Sequence, residues 1–185
     1  MSLNFKLNSS RLSLCLPKMG TEEEVIKFYL ENDAFFAPWS PEKTDNFFDK
    51  SFRASRIELA HQEFQLEQSL KLNIYLKETE ELVGMINFTN IERGPFQNCR
   101  LGYKLAEKFQ GQGYMKEALE VGIDYVFSQL GLHRIEANYI PTNRRSGNVL
   151  KSLGFQEHGL APNYLKIDGK WQDHVLTSKL SKIIL

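Results

Sequence analysis

The sequence is poor in everything that would tie it to a membrane, a disulfide framework or a nucleic acid. Only two of its 185 residues are cysteine, Cys15 and Cys99. They form no Cys-x-x-Cys pair and have no histidine at zinc-ligand spacing, so both read as small buried residues, and neither a disulfide nor a metal site is expected. No apolar run approaches the roughly 18 residues a membrane span needs, and the opening MSLNFKLNSSRLSLCLPK lacks the apolar centre and cleavage site of a signal peptide, which points to a cytoplasmic protein. Lys plus Arg and Asp plus Glu balance at 23 each. There is thus no global basic field for nucleic acid or a membrane surface, and any anion must be held locally. Prolines number six, with no repeat, low-complexity tract or linker, so residues 1–185 are expected to form one domain.

What is present is a chain with 42% hydrophobic residues, enough for a full core, patterned as alternating strands and helices. Residues 11–16 alternate as a strand, and a helix is expected over Glu22–Glu31, begun at Thr21. An irregular aromatic stretch, NDAFFAPWSPEKTDNFF, then gives way to a polar helix running through about His61. Residues 70–77 and 81–89 read as an antiparallel hairpin, residues 98–105 and 133–140 as further strands, and residues 144–153 as a short helix closed by Gly154. Two last strands flank an Asp168-Gly169 turn. Strand, helix and strand in succession across residues 98–140 imply a right-handed parallel crossover. The fold class is α+β, a mixed and mostly antiparallel sheet of about seven strands with helices on both faces.

The chemistry-bearing signal is EKFQGQGYMKEALEVGIDYVFSQLG, residues 107–131. Met115, Leu119, Gly122, Ile123, Val126, Phe127 and Leu130 make one apolar helix face, which is core. The turn before it, Gln110-Gly111-Gln112-Gly113, aims backbone N–H groups and the positive end of the helix dipole at one point, where an anion fits. The same turn also serves a plain strand-to-helix connection. It is no dinucleotide fingerprint, because the third glycine position is Lys116, and no Gly-Lys-Ser/Thr follows as in a P-loop. Some thirty residues on, in NYIPTNRRSGNVLKSLGF, Asn143 looks like a helix N-cap with Ser146 three residues later, a pair that also reads as no more than a helix start.

Taken together, these segments resemble the GNAT superfamily of acetyl-CoA-dependent N-acetyltransferases, and within it the ribosomal-protein-alanine N-acetyltransferase branch. The branch is carried by FFAPWSP, NFTNIERGPFQNCRLGYKL, FQGQGYMKEAL, HRIEANYIPTNRRSGNVLKSLGF and NYLKIDGKWQDHVLT, which span most of residues 35–177. One departure is Lys108, where the superfamily often has Gln or Arg; a cradle of backbone N–H groups tolerates it. The resemblance implies a sheet splayed between two central strands and acetyl-CoA as co-substrate. It assigns the coenzyme to Tyr103, Lys104, Leu105, Gln110, Gly111, Gln112, Gly113, Tyr114, Met115, Asn138, Asn143 and Ser146. The pantetheine arm would pair with the backbone of residues 103–105 as a strand would, and the pyrophosphate would sit on residues 110–115. Arg144, Arg145 and Lys151 are candidates for the remaining phosphate, or are simply solvated.

Transfer needs a neutral amine, a held oxyanion and a proton for the leaving thiolate. An N-terminal α-amine, with a pKa of about 7.7–8.0 against about 10.4 for Lys, needs only modest base assistance. Ser146 is the expected acid near sulfur, on the resemblance. The base stays open: relatives can carry a carboxylate where this chain has Asn163, and His158, Glu92 and Glu136 are candidates that read equally as structural. Nothing places a base beside either cysteine, which disfavours a covalent route. For the acceptor, Phe36, Trp39, Asn90, Glu92, Tyr164 and Trp171 are the expected contacts, with core packing the competing reading of the aromatics.

The acceptor implied by the resemblance is the N-terminal amine, Ala or Ser, of a ribosomal protein. A small amine on the same fold and a non-catalytic coenzyme-A-binding or ribosome-assembly module are the alternatives, and a homodimer is a further expectation. An acidic acceptor pocket would favour polyamines, and a broad open groove a peptide.

Overall fold

The computed structural model describes residues 4–182. Eight strands among them form one sheet in the order β1-β2-β3-β4-β5-β6-β8-β7. They are β1 (Lys6–Asn8), β2 (Leu12–Cys15), β3 (Leu70–Leu76), β4 (Leu82–Glu92), β5 (Asn98–Leu105), β6 (Arg134–Glu136), β7 (Gln156–Ile167) and β8 (Lys170–Leu180). The helices are α1 (Glu22–Glu31), α2 (Asp33–Phe36), α3 (Lys50–Gln65), α4 (Tyr114–Ser128) and α5 (Arg144–Ser152). Every pairing is antiparallel except β5 with β6, the two strands joined by the α4 crossover. The strand beyond the expected seven is β1, three residues that pair with β2 across the turn at residues 9–11. Such a strand is too short for alternation to mark it in the sequence.

Side-chain alternation along the strands supplies two apolar faces. Leu72, Ile74, Ile86, Phe88 and Leu101 meet the α4 residues Met115, Leu119 and Ile123 on one face. On the other, Leu82 and Met85 meet Val25, Phe28 and Phe36 of α1 and α2. Gly122 sets the approach of α4 to the sheet, because a Cβ there would lie 2.7 Å from Ile86 Cδ1 and 3.0 Å from Phe88 Cε2. Any side chain at that position would push the helix off β4.

Where β5 and β6 separate decides what the molecule does. They pair only over Asn98↔Arg134, Cys99↔Ile135 and Arg100↔Glu136. Beyond that, β5 stays with β4 as far as Gly84↔Leu105, while residues 137–139 stay with β8 through Ala137 N–H to Thr177 O at 3.1 Å and Tyr139 N–H to Val175 O at 3.2 Å. Each half of the sheet keeps its own hydrogen bonds, and the two diverge. The strand expected over residues 133–140 is for this reason only three residues long.

Candidate active site

The gap opens between residues 101–105 and 137–140, with the start of α4 and the start of α5 at its mouth. At α4, Gly111 and Gly113 have φ of +74° and +80°, left-handed values that glycine adopts without penalty. Gly113 is the N-cap, and the first helical hydrogen bond runs from Glu117 N–H to Gly113 O at 3.0 Å. The backbone N–H groups of residues 111–116 have no acceptor among the described residues. The loop's carbonyl side is tied down: Gln110 Nε2 donates to Leu105 O at 2.8 Å, Gln112 Nε2 to Lys108 O at 3.2 Å, and Arg11 Nη1 to Gln112 O at 3.1 Å. Upstream, Glu107 N–H donates to Asn32 Oδ1 at 2.8 Å, which fixes the loop to the end of α1. The result is a row of free donors at a helix N-terminus, with open space over Gly111, where a Cβ would meet nothing within 4 Å. A pyrophosphate fits such a row.

Arg11 is the residue here that sequence patterning did not mark. It comes from the β1–β2 turn, and its Nε and Nη2 each lie 2.7 Å from Glu117 Oε2, while its own N–H donates to Oε1 at 2.8 Å. Its guanidinium also stands 4.3 Å from the centre of the Tyr114 ring.

At the other wall, Asn143 caps α5 by accepting Ser146 N–H at 3.2 Å. The Ser146 hydroxyl is not a cap. It lies 2.8 Å from the Tyr103 hydroxyl, which also donates to Ser146 O at 3.2 Å, so β5 and α5 are joined by this pair. Burial pushes the Tyr103 hydroxyl up to about 12, which keeps it a neutral hydrogen-bonding group. Asn138 spans the far side, donating to the Tyr164 hydroxyl at 3.2 Å and accepting Thr177 N–H at 3.0 Å. Lys104, next to Tyr103, points to the opposite face, where burial and then the charges of Lys43 and Arg53 pull its ammonium down to about 8.

The acceptor candidates divide. Trp39 lines a cleft with Pro38, Ile140, Thr142, Asp168, Lys170 and Gln172, held in place by Asp168 N–H on Ser40 O at 3.1 Å. Tyr164 reaches the gap through Asn138, and Trp171 is 63% exposed on the β8 hairpin beside the cleft. Phe36 is only 4% exposed and belongs to the α1–α2 core cluster, so packing accounts for it. Asn90 and Glu92 are corrected: they sit at the far end of β4, where Glu92 pairs with Asn98 at the closed end of the sheet. Strand rise puts them roughly 20 Å from Leu105. Two base candidates sit where the strands part, since Glu136 pairs with Arg100 of β5 in the last register before the gap and with Ser178 of β8 on its other side. Glu136 is paired with Arg134 at 3.2 Å, and His158 Nε2 lies 2.6 Å from the Ser178 hydroxyl. Asn163 has an acidic neighbour, since its N–H donates to Asp173 Oδ1 at 2.9 Å across the hairpin. Of the basic trio, Arg144 is exposed, Arg145 stands 5.6 Å from the centre of the Phe35 ring, and Lys151 lines a cavity with Tyr139, Gly147 and Glu157. Among the described residues, no group of three His, Cys, Asp or Glu side chains is placed to hold a metal, and no helix is long and apolar enough to cross a membrane.

A parallel strand pair that opens into a gap, with a glycine-turned helix aiming free N–H groups at its mouth, defines an acyltransferase that takes its acyl group from coenzyme A. The chain belongs to the acetyltransferase (GNAT) domain family, whose profile matches residues 13–156, and is an acetyl-CoA-dependent N-acetyltransferase. It is 36% identical over 173 residues to the [ribosomal protein uS5]-alanine N-acetyltransferase of Escherichia coli, covering 94% of this chain and 89% of that protein. Among solved structures, the ribosomal-protein-S5-alanine acetyltransferase of Vibrio fischeri superposes with a TM-score of 0.92 at 32% identity, covering 97% of this chain and 98% of that one. RimJ of Mycobacterium smegmatis, solved in complex with CoA-disulfide, gives 0.85 at 28% identity, covering 97% and 87%.

Proposed function

We propose that this protein, acting as one catalytic unit over residues 1–185 in the cytoplasm, transfers the acetyl group of acetyl-CoA to the N-terminal α-amine of a ribosomal protein that begins with Ala or Ser. The observation that carries the choice of acceptor is the extent of similarity to the E. coli uS5-alanine enzyme. It covers 94% of the chain, including the acceptor-side segments around Trp39 and the β7–β8 hairpin, and not the coenzyme half alone. By contrast, the spermidine acetyltransferase of Vibrio cholerae is similar over only 54% of this chain.

In this reading the backbone of residues 103–105 holds the pantetheine arm and the N–H groups of residues 111–116 hold the pyrophosphate. The amine attacks the thioester carbonyl directly. Ser146, held by Tyr103, hydrogen-bonds or protonates the departing thiolate, whose intrinsic pKa is near a cysteine's value of about 8.5.

The test is turnover with acetyl-CoA on a panel of peptides and amines, read by mass spectrometry. Acetyl on the α-amine of Ala- and Ser-initiated peptides is expected, with little on internal Lys because of its higher pKa. Acetyl found mainly on Lys side chains or polyamines would refute the assignment.

A further inference from the structure

On the face of β5 opposite Tyr103, the molecule gathers positive charge that a single carboxylate among the described residues only partly offsets. Lys104 Nζ lies 4.9 Å from the centre of the Tyr29 ring and 5.2 Å from that of Phe36. The same Tyr29 ring is met from α3 by the Arg53 guanidinium, at 4.6 Å, and that guanidinium is also 3.8 Å from the centre of the Phe47 ring. Lys43 stands beside Phe47 at 5.7 Å and carries the one carboxylate in the group, Asp33, at 2.5 Å. The other charged groups acting on Lys104 are cations, Lys43 and Arg53, and Arg56 acts on Arg53 in the same sense.

Arg53 is the telling member. It is 7% exposed, and although the Tyr29 side chain favours its charge, its Nε and Nη2 have no hydrogen-bond partner among the described residues. A buried guanidinium in that state pays desolvation that contacts with aromatic rings only partly return. The two free nitrogens are also a matched pair. Nε–H and the Nη2–H on the same side form the parallel fork that receives both oxygens of one carboxylate. A phosphate meets the same fork, but the acceptor side of a peptide acetyltransferase offers carboxylates.

We propose that Arg53, assisted by Lys104, is the receptor for an acidic side chain near the N-terminus of the acceptor peptide, so that the enzyme selects acidic N-terminal sequences. The inference rests on the proposed transfer to a peptide α-amine. Lys104 sits in the β5 segment that lines the gap, between Tyr103 and Leu105, which puts the acid site beside the reacting end of the acceptor. Phe47, from the irregular segment between the 3-10 turn Ala37–Trp39 and α3, covers Arg53, and Lys43 of the same segment stands beside Phe47. The cations also disfavour an ammonium nearby, which helps keep the attacking amine neutral and excludes polycationic acceptors.

The experiment compares kcat/KM for Ala-initiated peptides that differ only by Glu or Gln at the second, third or fourth residue. A charge-assisted fork predicts that Glu at one position exceeds Gln by roughly 10- to 100-fold in the wild-type enzyme. In Arg53→Met that ratio falls close to parity, and in Arg53→Lys, which keeps the charge but loses the fork, it is intermediate. Lys104→Met lowers the same ratio and provides a second variant if Arg53→Met does not fold. Equal rates for Glu and Gln at all three positions in the wild type overturn the inference while leaving α-amine transfer intact. A preference that survives in folded Arg53→Met also overturns it. Failure to acetylate any peptide overturns both the inference and the proposed function.

Discussion

The hydroxyls of Tyr103 and Ser146 lie 2.8 Å apart, one on β5 and one on the first turn of α5, on either side of the opening in the sheet. Because Asn143 already caps α5 through the Ser146 N–H, the Ser146 hydroxyl is released from helix capping. Tyr103 acts as donor toward Ser146 O, so the Ser146 hydroxyl is free either to donate to the Tyr103 oxygen or to meet a charge building in the gap.

If that charge is the departing thiolate, Ser146→Ala removes an interaction that strengthens only in the transition state. Then kcat falls while KM for acetyl-CoA moves little. General acid help is worth about 10²- to 10⁴-fold, and a hydrogen bond alone sits at or below the bottom of that range. Tyr103→Phe, which loses only the positioning contact, should lower kcat by less. Steady-state kinetics with a melting curve on each variant decide the matter. A lowered melting temperature with unchanged kcat in Ser146→Ala would show that the hydroxyl is structural.

The free N–H row at α4 predicts a separate phenotype for the glycine turn. At Gly113, φ of +80° strains any branched residue, and the added Cβ lies 3.5 Å from Arg11 Nη2. Gly113→Val should therefore lose at least tenfold in acetyl-CoA affinity, by calorimetric titration, while α4 stays folded through its apolar face. Gly111→Ala should fold at a stability cost of about 1 kcal/mol for its left-handed φ, and its methyl, which enters the open space assigned to the pyrophosphate, should also weaken acetyl-CoA binding. Wild-type affinity in folded Gly113→Val would mean that the pyrophosphate is held elsewhere.

What could be read from the sequence was what is local. The bounds of α1 and β5 follow from periodicity, and the glycine turn and the Asn143 cap follow from residue chemistry at fixed short spacing. What could not be read depends on partners far away in the chain. Arg11 reaches Glu117 across 106 residues, and no pattern in either segment announces the other. The site around Arg53 is assembled from α1, α3, β5 and the segment before α3, each of which looks unremarkable alone. Asn90 and Glu92 fall away from the gap for a related reason. Polar, turn-rich composition marks a loop but not the end of the sheet on which it falls. Likewise the shortening of β6 follows from the sheet dividing, since residues 137–139 have strand-like character but have left β5.

The Arg11–Glu117 contact gives a prediction with a pH signature. Burial alone would raise the Glu117 carboxyl, but hydrogen bonds from the Arg11 N–H, the Arg11 guanidinium and the Ser10 hydroxyl hold it at about 2, below its ordinary 4.5. A carboxyl depressed by folding stabilises the native state above its unfolded pKa, and that contribution is lost as pH falls through the interval from about 4.5 to about 2. At neutral pH, Glu117→Gln should lower the melting temperature by about 2–4 °C, since the clamp is partly exposed and worth on the order of 1 kcal/mol. The gap between variant and wild type should then narrow as pH drops from 4.5 toward 2, because the unfolded wild-type chain takes up a proton there that native Glu117 refuses. Because Arg11 also holds the Gln112 carbonyl, loosening the clamp frees the turn, and acetyl-CoA should bind the variant more weakly at neutral pH. Parallel melting curves across pH, with the difference constant down to pH 3, would show that Glu117 is not held ionised by Arg11.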